Sequence, residues 1–425
     1  MTAPPQGFLG RLKAAEAVGS ARTPPTAATG RRLVDARPPD TAGLAAVVEV
    51  SPEVVLPAAA GQVKGRPTTP SALLLVQPAG DDECRVVGYT GGEEGQEPDL
   101  DNVIYRPDIA LGDLATSEPG GEQAADVRYV FRNWSRDNAT ITAWFEQLRE
   151  TTGDDLHLVV WDCTGHDIPW ELFHLPGDRA IGRPPGWLGA LVPVARRLSI
   201  REYGLTWDPW SFSVHASAGR VVATIAESMA ADREFLARFD PLHVVENDLV
   251  EHLADSRDDV GLLYIACHGA FEKERLLRLR LGSLSVRDID ERGDLPGLHR
   301  AHAVVFLNAC HSGRVTRDLR QRVLSGFAEV FLRKGAVAVV GVLGSVETDL
   351  ANRVAASIVA EVADRPDRSL AVVLRDVRAV AARDADEAGP DSTDALKRFL
   401  YTFMYILWGS PYARVAMPSA GGGDG

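Results

Sequence analysis

Two short segments carry the residue types that do covalent chemistry. Ala266-Cys267-His268-Gly269 closes the apolar run Leu262-Leu263-Tyr264-Ile265, and Asn308-Ala309-Cys310-His311-Ser312-Gly313 closes Val304-Val305-Phe306-Leu307. A cysteine attacks as its thiolate and needs a base or a cationic neighbour to become one. An imidazole titrates near neutrality and can take a proton and return it. A His and a Cys at the ends of two neighbouring apolar runs therefore suit a thiol nucleophile served by a proton carrier. Cys267, His268, Cys310 and His311 are also zinc-ligand types. Adjacent residues of an extended chain point to opposite faces, however, so neither pair converges easily on one ion. No metal and no cofactor is expected, and Cys267 is expected to be a packed thiol.

The elements around these segments must bring them together. Apolar runs of this length, bounded by glycine, read as buried strands of a parallel sheet. In such a sheet ligands bind beyond the carboxyl ends of the strands, where His268 and Cys310 would stand. From Gly219 the chain alternates strand and helix, with strands expected at 220–226, 242–245, 260–266, 303–307 and 336–342. A helix is expected over 324–334, closed by Gly335, and two more on the apolar stripes of Leu350, Val354, Ile358 and Val362 and of Leu370, Val373, Leu374 and Val377. Phe403 to Trp408 is a last apolar stretch. The fold class is α/β: an open, mostly parallel sheet with helices on both faces, over residues 216–416.

A smaller α+β region is expected over 45–215. It begins with a strand at 46–50 and a hairpin of strands at 72–76 and 84–89. Gly- and acid-rich residues 91–125 read as loop. Ile141, Trp144, Phe145 and Leu148 then mark an amphipathic helix stopped by Gly153. A strand at 156–161 leads to Asp167-Ile168-Pro169-Trp170-Glu171-Leu172-Phe173, a turn into a short helix. Trp170, Trp187, Trp207 and Trp210 read as packing residues. Residues 1–44, rich in Pro, Ala, Thr and Arg, read as a flexible arm with at most a short helix around Phe8, Leu9 and Leu12, and 417–425 as a disordered tail.

Composition narrows the partners. A net charge of -14 counts against nucleic acid, whose phosphates call for Lys and Arg. No apolar run approaches the ~20 residues of a membrane helix, and no basic start with an apolar core marks a secretory signal. Four cysteines without a C-x-x-C suit a reducing cytoplasm. Gly341-Val342-Leu343-Gly344 follows a strand but lacks the spacing of a dinucleotide fingerprint.

The order strand–His–Gly, then strand–Cys–x–x–Gly, resembles the caspase-like cysteine peptidases, and within them the CHAT domain, a relative of caspases and separases found mostly in bacteria. Ile168-Pro169-Trp170-Glu171-Leu172 resembles the Pro-Trp/Phe-Glu segment near the start of that domain. Leu263 to Gly269 resembles its His motif, Leu307-Asn308-Ala309-Cys310 its Cys motif, and Gly326-Phe327-Ala328 through Gly335 to Val340 the helix–Gly–strand that follows. The resemblance implies that Cys310 attacks a scissile carbonyl and His268 protonates the leaving amine. It puts the oxyanion on the backbone N–H groups of Gly269 and Cys310.

By the same resemblance, substrate would meet Glu227 and Ser228 at the end of the first strand, Asn308, Ser312, and the loop of Leu343, Gly344 and Ser345. Metacaspases hold an Asp at the position of Asn308 to recognise a basic side chain. With Asn here, both a basic and a neutral residue at the cleavage site stay open. The implied activity is that of a cysteine endopeptidase cutting a specific protein partner in a bacterial defence or stress-signalling system, gated by a sensor or activator protein. Two other readings stand beside it: a catalytically silent module that binds a partner in the cleft, and a small-molecule hydrolase on a doubly wound sheet. Arg314, Arg317, Arg320 and Arg322 read as a solvated face, or as an activation loop.

Overall fold

The computed structural model describes residues 71–416 apart from 92–96, 110–120, 154–155, 179, 181, 199–215, 256–257, 273–278 and 318–323. The arm at 1–44, the strand at 46–50, Trp207, Trp210, Arg320, Arg322, the side chain of Arg317 and the tail at 417–425 lie outside the described residues.

Eleven strands make one sheet. They are β1 Ser71–Pro78, β2 Glu83–Thr90, β3 Leu100–Tyr105, β4 His157–Asp162, β5 Val194–Arg197, β6 Arg220–Ile225, β7 Leu242–His243, β8 Val260–Ala266, β9 Val304–Asn308, β10 Ala338–Val342 and β11 Tyr405–Gly409. Across the sheet the order is β7-β6-β8-β9-β10-β11-β5-β4-β1-β2-β3. Only the β10–β11, β1–β2 and β2–β3 pairs are antiparallel, so the sheet is mostly parallel, as expected. The central strands β8 and β9 are apolar except at Asn308, the last residue of β9, because both faces are covered. All seven residues of β8 and all five of β9 are buried.

Helices pack in two groups. Leu249–Asp255, Val286–Asp290, Pro296–Arg300 and Phe327–Arg333 contact one another or the central strands. A second group joins α1 Gly121–Asp137, α3 Asp232–Leu236, α5 Thr348–Asp364, α6 Leu370–Ala388 and α7 Thr393–Met404. Within that group α5 buries Leu350, Val354, Ile358 and Val362. Helix α6 starts at Ser369, whose hydroxyl accepts from the Val372 N–H at 3.4 Å.

The boundary expected near residue 215 falls in the stretch 199–215. The sheet runs on across it, because β11 pairs with β10 on one side and β5 on the other, and the described residues form one compact unit. Upstream, α1 and α2 (Ala139–Thr152) set Trp134, backed by Phe131, against Trp170 and Phe173, and Phe145 against Phe173. That contact fixes the 167–173 turn. Beneath it Glu171 and Arg196 form a buried bidentate pair at 3.0 and 2.5 Å. Burial alone would raise the Glu171 pKa. The charge and hydrogen bonds of Arg196 outweigh that and hold it below the usual carboxylate range.

Three expectations change. Residues 91–125 are not wholly loop, since they contain β3 and the start of α1. β3 is an edge strand that buries only Leu100 and Ile104 and leaves Val103 and Tyr105 exposed, so its apolar residues do not alternate. Leu324 sits in a ribbon paired with Arg317 rather than on a helix, and the helix begins at Phe327, after Gly326. The stretch 403–408 divides between the end of α7 and the antiparallel strand β11.

Candidate active site

β8 and β9 are parallel neighbours, with Ala266 opposite Asn308. His268 and Cys310 each follow that last pair by two residues, just past the ends of strands ~4.8 Å apart. Deeper on the same face the rings of Tyr264 and Phe306 stack at 5.2 Å between centroids. His268 is exposed and Cys310 half-buried, whereas Cys267 and Ala309 are buried. Burial, with smaller contributions from Glu246 and Cys310, pushes the Cys267 thiol up to about 12.

Gly269 brings the two segments into backbone contact. A Cβ at this position would lie 1.7 Å from the Cys310 carbonyl oxygen and 3.0 Å from its nitrogen. Its φ is not positive, so space and not backbone conformation demands the glycine.

The Cys310 turn is held to β10 and the loop beyond it. His311, at φ 59°, donates its N–H to the Gly344 carbonyl at 3.1 Å, and Gly313 donates to Val342 at 2.9 Å. Trp408 of β11 donates its indole N–H to the Gly313 carbonyl at 3.0 Å. The Cys310 thiol itself receives the Val346 N–H at 3.5 Å and donates to the Val346 carbonyl at 3.7 Å. The loop after β10 therefore rests against the sulfur.

The residues expected to meet substrate divide into two sets. Gly344 and Ser345 border the Cys310 turn, with the Ser345 hydroxyl 3.1 Å from Nε2 of His311. Glu227 is open to solvent, its carboxylate 3.4 Å from Arg233. Ser312 and Asn308 are turned inward. The Ser312 hydroxyl donates to the Leu307 carbonyl and accepts from the Val342 N–H, both at 3.0 Å, so it staples the turn to the sheet. Fully buried Asn308 donates to Asp232 at 2.8 Å and Tyr264 at 3.1 Å and accepts from the Tyr405 hydroxyl at 2.6 Å. A substrate contact from either residue would have to displace these bonds.

Behind Asn308 lies an acid without any marking in the sequence. Asp232, at the start of α3, is fully buried and accepts from Tyr264 at 2.6 Å and from Asn352 at 2.7 Å. Burial first, then the Asp232 charge, raises the Tyr264 phenol well above its usual value. Nothing in the run Ala231-Asp232-Arg233-Glu234 distinguishes this acid from its surface neighbours. Arg314, expected on a solvated face, is 6% exposed and sits beside the site. Among the described residues no three His, Cys, Asp or Glu side chains gather as a metal site, and no helix is long and apolar enough to cross a membrane.

The family model described as CHAT domain matches residues 198–410. No curated protein matches the chain. Among solved structures, two crystal structures of the Saccharomyces cerevisiae separase–securin complex are similar. One has 13% identity and a TM-score of 0.37, and covers 66% of this chain and 18% of that one. The other has 15% identity and a TM-score of 0.35, and covers 61% and 15%. The chain thus spans less than a fifth of the length of either.

Proposed function

We propose, from the premise that the chain belongs to the CHAT domain family, that it is a cysteine endopeptidase that cuts a specific protein partner. The observation that supports this reading is the pairing of β8 with β9, whose last pair, Ala266 and Asn308, is followed after two residues by exposed His268 on one strand and half-buried Cys310 on the other. His268 takes the thiol proton. The Cys310 sulfur then adds to the scissile carbonyl carbon, and the oxyanion falls to the backbone N–H groups of Gly269 and Cys310. Collapse breaks the C–N bond, and His268 delivers its proton to the leaving amine. Water, deprotonated by His268, cleaves the thioester to give a carboxylate product and the free thiol.

The contacts between Cys310 and Val346 support a resting state in which the loop after β10 withdraws before attack, which suits control by a sensor or activator protein. Asn308 is occupied inside the protein and Glu227 is partnered by Arg233, so neither supports a dedicated pocket for a basic residue at the cleavage site. A neutral residue there is the reading we favour. A peptide-library cleavage profile of the wild-type protein, beside Cys310→Ala and His268→Ala, tests the proposal. Cleavage is expected only from the wild type, and undiminished cleavage by Cys310→Ala overturns it.

A further inference from the structure

Arg314 joins three parts of the chain that the sequence keeps far apart. It belongs to the turn that begins at Cys310, its N–H donating to the His311 carbonyl at 3.1 Å. Its Nε donates at 2.7 Å to Oδ2 of Asp167, in the turn between β4 and Trp170, upstream of the CHAT match. Its guanidinium carbon lies 3.8 Å above the centre of the Phe271 ring, three residues beyond His268. Both charged side chains are buried, Arg314 at 6% exposure and Asp167 at 4%.

The environment makes this contact strong. A guanidinium removed from water gains more from an aromatic face and a carboxylate than an exposed one does. Asp167 also faces the more distant charges of Arg196 and Asp162, and burial above all raises its pKa. It has little to hold it ionised apart from these arginines. The Phe271 ring in turn lies 6.2 Å from the His311 ring, so the same stack reaches back to the residue after the thiol.

We infer that Asp167, Arg314 and Phe271 form a clamp that positions the His268 segment against the Cys310 turn, so that the region upstream of the family match sets the geometry of the dyad. The inference rests on the peptidase reading and adds to it three positioning residues, none of which touches substrate. Each removes a different freedom. Asp167 anchors the guanidinium to the 167–173 turn. Arg314 carries that anchorage into the Cys310 turn. Phe271 transfers it to the chain that bears His268. Lysine would keep the charge but not the flat surface that lies on the ring, so Arg314→Lys is expected to act as a partial variant.

The test reads the thiol directly and needs no substrate. Alkylation of Cys310 by iodoacetamide is followed by peptide mass mapping from pH 5 to 9 in wild type, His268→Ala, Arg314→Ala, Arg314→Lys and Phe271→Leu. Phe271→Leu leaves no buried charge without a partner, and circular dichroism checks that each variant is folded. His268→Ala is expected to slow alkylation of Cys310 about tenfold near neutral pH, since it removes the neighbour that takes the thiol proton. Arg314→Ala and Phe271→Leu are expected to follow it, with Arg314→Lys between them and wild type. If His268→Ala differs from wild type while the folded Arg314→Ala and Phe271→Leu do not, the clamp is wrong and the dyad stands. If His268→Ala matches wild type, the dyad reading fails and the clamp falls with it.

Discussion

Gly269→Ala is the sharpest perturbation the site offers. The added Cβ would start 1.7 Å from the Cys310 carbonyl oxygen, whereas real Cβ atoms keep at least 3.0 Å, so the two backbones must separate by about 1.3 Å. No flexible side chain can absorb the movement, because the obstacle is the backbone of Cys310. The expected stability loss is that of an overpacked site, ~1–3 kcal/mol. The expected catalytic loss is larger. A displacement of about 1 Å between reacting groups can cost on the order of 10²-fold, and here it moves the two proposed oxyanion donors apart as well. The assay compares cleavage of a peptide taken from the library profile with the urea unfolding midpoint of the same variant. Cleavage reduced ~100-fold in a protein that remains folded supports the reasoning. A variant with wild-type cleavage and an unchanged midpoint refutes it, since the backbones could then not be as close as 1.7 Å implies.

Three further outcomes are expected. At pH 8 iodoacetamide should label Cys310 well before Cys267 and Cys84, because burial pushes both of those thiols up to about 12; mass mapping that finds Cys267 labelled as fast as Cys310 contradicts the burial argument. Ser312→Ala should lower stability by ~1–3 kcal/mol, since it leaves the buried Val342 N–H without its acceptor, while cleavage by the folded variant stays within about twofold of wild type. A selective rise in KM would instead return Ser312 to the substrate-binding set. Glu171→Gln should cost ~3–5 kcal/mol at neutral pH by stranding Arg196. Because the folded-state pKa of Glu171 is depressed, its contribution is present above about pH 4.3 and disappears as pH falls through the folded value. Unfolding midpoints for wild type and variant should therefore converge in acid, and parallel curves would exclude the pair as their source.

The sequence reveals the site's frame more readily than its walls. β8 and β9 are legible because strands buried on both faces are apolar almost throughout, and His268 and Cys310 follow their ends. β3 is less visible, because as an edge strand it buries only Leu100 and Ile104 and exposes Val103 and Tyr105, so its apolar residues do not alternate. The direction of β11 cannot be read from Tyr405 to Trp408, since an apolar run is the same whichever way it pairs. Polar partners are the least legible. Asp232 and Arg314 look like surface residues in their local context, and their burial follows from contacts with distant residues, among them Asn308 and Asp167, 76 and 147 positions away. Asn308 and Ser312 illustrate the converse: polar residues beside a nucleophile invite a substrate role, yet both have their polar atoms occupied within the sheet.

The position of β11 has a practical consequence for anyone who would excise the family-matching portion. That portion begins at residue 198, one residue after β5 ends, so the cut removes the strand on which β11 lies at Trp408 and Arg196. It would bare a sticky apolar border, and with it the tryptophan whose indole braces the turn of the proposed nucleophile. The smallest transplantable piece of this fold is therefore larger than its signature, and truncations drawn at the signature's edge are expected to clump.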